Sequence, residues 1–176
     1  NIGTMTKSTH CGNAASAGLE CAMLAARGFD ANPEPFEAFN GYGKMMFGDT
    51  FEPRDLLHFG APWRIVSPGY AIKMFPSQFG THFAITAGLQ LRPQIPDPAK
   101  IKAVTLKTPV MPYVNRPHPD TGLAGKFSLQ YTFASGLLRG AVKIDTFTDE
   151  EVEKPDMAAL LDKIGMNMTR EIPARF

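Results

Sequence analysis

The chain has 176 residues, 44% of them apolar and 20% charged, a balance that supports a buried core and excludes intrinsic disorder. Lys plus Arg (18) nearly cancels Asp plus Glu (17), and no run of five like charges occurs, which excludes the basic footprint of a nucleic-acid or membrane-surface binder. No apolar stretch reaches the roughly 20 residues of a membrane span and no leader-type segment opens the chain, so the expected setting is cytoplasmic.

The first predicted element is a helix from about Thr6 to Ala26. Thr6-Lys7-Ser8-Thr9-His10 gathers cations and hydroxyls where unpaired helix N–H groups attract anions. Ala14, Ala15, Ala17, Leu19, Ala22 and Leu24 then keep the run small and apolar, and Gly28 offers a stop. The pattern predicts a buried helix with its cationic tip facing a cavity. Cys11 and Cys21 would lie about 15 Å apart on it, too far to bridge, and read as reduced core residues.

Pro35 to Phe39 supports at most a short helix before a loop rich in glycine and aromatics. Pro53 to His58 reads as another short helix, and Trp63 to Val66 and Tyr70 to Phe75 read as extended. Thr81 to Leu91 is an amphipathic helix with Phe83, Ala87 and Leu91 on one side and Ile85 and Leu89 beside them, ended by Pro93. Ile101 to Thr108, rich in β-branched residues, is the strongest strand. Pro109 to Gly125 is a long proline-studded loop of the kind that often carries function. Lys126 to Arg139 forms a helix striped by Phe127, Tyr131, Ala134 and Leu138, with Gly140 as its stop. The tail holds a capping box, Thr148 to Glu151, and a helix from Asp156 to Ile164 stopped by Gly165. This order gives an α+β layer appended to a helical body. Two strands are few for a sheet, and the chain starts at Asn1 inside what reads as functional sequence, so it is expected to be a piece of a longer protein.

Three segments repeat one arrangement, a cation near a helix start or a rigid turn. In the first, Lys7, Thr9 and His10 could hold a carboxylate; the ordinary alternative is a solvated lysine beside a capping threonine. In the second, Lys73 precedes the turn Phe75-Pro76-Ser77-Gln78 and His82 opens a helix; the alternative is a surface lysine and a capping histidine. In the third, Tyr113-Val114-Asn115-Arg116-Pro117 offers a phenol and a guanidinium that can grip a carboxylate bidentately, against the alternative of an ordered surface loop. Lys126 repeats the lysine-before-helix pattern. No HExxH, paired CxxC, Walker loop, GxGxxG or GxSxG occurs, and the histidines and cysteines are scattered. The residues point to anion chemistry without a cofactor and without a metal.

Thr6-Lys7-x-Thr9-His10-x-Gly12-x-Ala14-Ala15 followed by an alanine-rich helix, Ile72-Lys73-Met74-Phe75-Pro76 with Thr81-His82, Tyr113-Val114-Asn115-Arg116-Pro117, and Lys126-Phe127-Ser128-x-Gln130-Tyr131 together resemble the MmgE/PrpD family. That family includes 2-methylcitrate dehydratase, cis-aconitate decarboxylase and iminodisuccinate epimerase. The resemblance spans about residues 3 to 165. It implies a large all-helical domain and a smaller α+β lid, with the active site between them, usually in a homodimer. Residues 1 to about 60 would end the first helical segment and about 61 to 176 would form most of the lid. The family's early helices, which carry an aspartate and further histidines of the site, have no counterpart here.

The resemblance implies catalytic roles for Lys7, Tyr113 and His82, and substrate binding by Lys73, Gln78, Thr9, His10, Arg116 and Lys126. The substrate would be a small polycarboxylate, with proton transfer α to a carboxylate as in 2-methylcitrate dehydratase. Gln78 stands where decarboxylase-like members have a catalytic histidine. A glutamine binds but cannot shuttle a proton near pH 7, which argues against cis-aconitate decarboxylation and leaves dehydration or epimerisation open. The rival reading is a non-catalytic lid, a dimerisation or anion-binding module inactive on its own.

Overall fold

In the computed structural model, which describes residues 4–52, 54 and 60–173, the chain divides between Ile72 and Lys73 into two units. In the first, α1 (Met5–Ala25) forms where the alanine-rich run predicts it. It ends as Gly28, at φ 87°, lets the Phe29 N–H reach the Leu24 carbonyl at 3.1 Å. The expectation that this helix is buried is corrected: none of its residues is buried, and Cys11 and Cys21 are exposed free thiols. An apolar helical face is covered only by another element, and the rest of this unit supplies short ones. Its α2 (Tyr42–Phe47) has six residues and belongs to a chain of ring contacts running Phe36, Tyr42, Phe47 and Phe51.

The two extended segments expected after Trp63 do not form strands. Trp63 to Gly69 is a turn, closed by Val66 N–H to the Trp63 carbonyl at 2.8 Å and Gly69 N–H to the Arg64 carbonyl at 3.2 Å. Tyr70 to Ile72 pairs with no strand. Gly60 and Gly69 at positive φ and Pro68 turn the backbone before an Ile65-Val66 pair can propagate pairing. The predicted helix from Pro53 to His58 falls, apart from Arg54, outside the described residues.

In the second unit α3 spans His82–Leu91, and Pro93 sits in the single 3-10 turn that follows. Next come β1 (Val104–Thr108) and α4 (Gly122–Gly125), capped by the Thr121 hydroxyl. The helix predicted from Lys126 begins later, as α5 (Leu129–Arg139). Ser128 is its N-cap, with its Oγ accepting from Tyr131 N–H at 2.9 Å, and Gly140 at φ 70° ends it. After α6 (Asp149–Val152), capped by Thr148, and α7 (Pro155–Leu161), the chain does not continue as helix to a stop at Gly165. Ile164–Met168 is instead β2, paired parallel with β1 in the register Val104 to Ile164, Leu106 to Met166 and Thr108 to Met168. Pairing to a strand sixty positions away outweighs the local helix signal.

Helix α5 is buried from Leu129 to Leu137 and is the centre of the core. Ile85 of α3, Leu106 of β1, Ile164 of β2 and Met157, Leu160 and Leu161 of α7 pack around it. The buried stripe of α3 is His82, Ala84, Ile85 and Gly88, which includes the expected Ile85 but not Phe83, Ala87 and Leu91. Those last three line an apolar cavity of about 560 Å³ against β1, with Phe83 61% exposed. At the end of α5, Arg139 bridges Asp156, at 2.9 Å through one of its two bonds, and Glu151 at 3.3 Å, tying α6 and α7 to the core helix.

Candidate functional site

The segment from Lys73 to His82 packs as a turn whose hydrogen bonds fix each side chain's neighbours. Lys73 Nζ donates to the Ser77 carbonyl at 3.0 Å. Ser77 Oγ and Thr81 Oγ1 share a 2.8 Å hydrogen bond, and Thr81 Oγ1 donates to the Gln78 carbonyl at 2.7 Å. The Gln78 N–H donates to the Lys126 carbonyl at 2.9 Å, which fastens the turn to the short segment joining α4 to α5. Ser128, at the start of α5, donates to the Arg116 carbonyl at 2.6 Å, and Gln130 donates to Asn115 at 2.6 Å. Three motifs far apart in sequence thus meet around one end of α5, through two main-chain carbonyls and the Asn115 side-chain oxygen.

Lys73 lines an open cleft of about 750 Å³ with Phe75, Pro76, Lys143, Asp145 and Thr148. An ammonium has three donors, so the bond to Ser77 orients Lys73 and leaves two donors for a ligand. Lys126 Nζ lies 5.7 Å from the centre of the Phe147 ring, and the Arg116 guanidinium lies 5.2 Å from that of Phe127. Tyr113 is 44% exposed in a 3-10 turn, Pro112–Val114.

His82 is buried, edge-on to Phe75 with ring centres 5.3 Å apart and tilted against Phe79 at the same separation. Its Nε2 and the Oε1 atoms of Gln78 and Gln130 are buried without a hydrogen-bond partner among the described residues. Burial holds the His82 pKa below 6.5; the Lys73 charge adds to that, and backbone hydrogen bonds at Phe75 and Ser77 oppose it. The imidazole is therefore neutral at pH 7. Because the unfolded chain takes up this proton first, the stability tied to His82 is complete above pH 6.5 and is lost as pH falls through the folded value. Glu151 and Asp156, held below the usual carboxylate range chiefly by hydrogen bonds from Lys154 and Arg139 respectively, lose their contribution only at lower pH. Thermal midpoints recorded from pH 8 to 5 should thus fall for the parent and fall less for His82→Gln. Equal slopes would contradict this account.

Lys7, Thr9 and His10 lie in the first two turns of α1, in the other unit. Thr9 is not the helix cap: its hydroxyl donates to the Thr6 carbonyl at 2.7 Å, and Thr4 is the N-cap residue. The fold therefore gathers Lys73, Gln78, His82, Arg116 and Lys126 in one unit. Sequence reading missed Lys143 and Asp145 and took Thr148 only as part of a capping box; all three share the Lys73 cleft, and only the folded chain brings them to Lys73.

Residues 75–176 match the MmgE/PrpD C-terminal domain. Cis-aconitate decarboxylase of Mus musculus is 30% identical over 184 residues, covering 100% of this chain and 37% of the mouse protein. Cis-aconitate decarboxylase of Homo sapiens is 30% identical over 173 residues, covering 94% of this chain and 36% of the human protein. The chain thus spans little more than a third of the length of these curated relatives.

Proposed function

Because the chain belongs to the MmgE/PrpD family, we propose that it contributes to an enzyme of lyase or isomerase type that removes or delivers a proton α to a carboxylate of a small polycarboxylate, as a 2-methylcitrate dehydratase does. The observation that carries this reading is Lys73, oriented by the Ser77 carbonyl at 3.0 Å and lining an open cleft. As an α-proton leaves, charge builds on the adjacent carboxylate in an enediolate-like state, and an ammonium already in place binds that state more tightly than the ground state. Lys7 would hold a further carboxylate, with Thr9, His10, Arg116 and Lys126 as supporting polar and cationic contacts. Tyr113 and a neutral His82 are the proton-transfer candidates of this chain. Gln78 would contact substrate by hydrogen bonds, which favours dehydration or epimerisation over the decarboxylation named for the two relatives.

By its family resemblance the complete protein is proposed to act as a homodimer. Replacing Lys7 by Ala in the complete protein should lower kcat/KM on polycarboxylates by roughly 100-fold or more, the scale of losing one donor to a developing anion. Unchanged kinetics across a panel of citrate-like and succinate-like compounds would sink the assignment. The competing reading, an anion-binding lid without chemistry, draws on Gln78, which binds but transfers no proton. It predicts that polycarboxylates bind without turnover.

A further inference from the structure

A second cation in the Lys73 cleft belongs to none of the motifs. Lys143 follows buried Val142 and precedes the 3-10 turn Ile144–Phe147, whose Thr146 and Phe147 are buried. Its backbone is held by Lys143 N–H donating to Thr146 Oγ1 at 2.9 Å and Thr146 N–H donating to the Lys143 carbonyl at 3.3 Å. The side chain, in contrast, makes no hydrogen bond or ion pair among the described residues, although Asp145 lines the same cleft and Glu151 an adjoining one. A fixed backbone thus places Lys143 in the lining of the space that Lys73 also lines, together with Asp145 and Thr148.

We propose that Lys143 is a second carboxylate anchor, so that the cleft selects ligands carrying at least two carboxylates and one hydrogen-bond donor. Two ammoniums and one carboxylate leave the cleft a net charge of +1. A monocarboxylate can engage only one ammonium, whereas a di- or tricarboxylate can engage both. Asp145 repels a bare polyanion and accepts from a hydroxyl, which adds the requirement for a donor. This assignment rests on the polycarboxylate reading of the same site and extends it to a residue and a ligand pattern.

The test is calorimetric titration of the complete protein with citrate, with propane-1,2,3-tricarboxylate, which lacks the hydroxyl, and with butyrate. Lys143→Met should weaken citrate about tenfold or more, the scale of one charge-assisted hydrogen bond, and leave butyrate unaffected. Lys143→Arg should recover most of the loss, and Asp145→Asn should narrow the preference for citrate over the hydroxyl-free acid. Lys143 is exposed, so the thermal midpoint of Lys143→Met should match the parent's. Citrate binding at parental strength in Lys143→Met, or an equal loss for citrate and butyrate, overturns the assignment. If the parent binds citrate and Lys143→Met matches it, only the Lys143 role falls; if the parent binds neither tricarboxylate, the polycarboxylate reading falls with it.

Discussion

Lys73→Met in the complete protein is expected to lower kcat/KM on polycarboxylates by about 100- to 1,000-fold, the scale seen when a preorganised donor to a developing anion is removed. Methionine keeps much of the stem and removes the charge, so the loss reports the ammonium and not the packing. The fold should survive, because Lys73 is exposed and its side chain bonds only to the Ser77 carbonyl among the described residues. Most of the loss should fall on kcat, since the ammonium's attraction rises as the enediolate-like charge forms. Circular dichroism and steady-state kinetics together check this. A well-folded variant within threefold of the parent would contradict it.

A large effect on stability is expected at Gly88→Ala. Helices α3 and α5 cross with their backbones in contact: a Cβ on Gly88 would lie 2.4 Å from the Phe133 carbonyl oxygen and 3.0 Å from the Leu137 nitrogen. On the facing helix, a Cβ on Gly136 would lie 2.8 Å from the Ile85 carbonyl oxygen. No side-chain rotation relieves these clashes, because the obstructing atoms are main chain, so the two helices must separate and the layer of Ile85, Phe133 and Leu137 must loosen. We expect a cost of about 3 kcal/mol, at the upper end of overpacking effects, and a thermal midpoint lower by 10 °C or more. Gly18→Ala is the matched control. Nothing lies within 4 Å of a Cβ there, and within α1 the alanine should be neutral or stabilising. A midpoint shift under 2 °C for Gly88→Ala would show that this contact does not hold the helices.

The parts of the fold that can be read from the amino acids are those with local causes. Gly140 ends α5 where the sequence predicts, although the helix starts at Leu129 and not at Lys126, and the β-branched run before Pro109 marks β1. The β2 strand could not be read the same way: Ile164-Gly165-Met166-Asn167-Met168 has the glycine of a helix stop and becomes a strand only against Val104 to Thr108. The exposure of α1 was equally hidden, because an alanine-rich face signals that a helix can be buried and not what would cover it. In the candidate site, Lys73, Gln78 and Lys126 were legible because each lies in a short motif with a cation or amide beside a turn. Lys143 was not, since a single lysine after a helix stop has no pattern of its own.

On the proposed function, the complete protein makes or breaks a bond to hydrogen beside a carboxylate. The most direct measurement is proton exchange in deuterated water, followed by NMR or mass spectrometry across a panel of citrate-like and succinate-like polycarboxylates. Deuterium incorporation is expected at a carbon α to a carboxylate in at least one compound, abolished in Lys73→Met. Binding of these compounds with no exchange into any of them would contradict it.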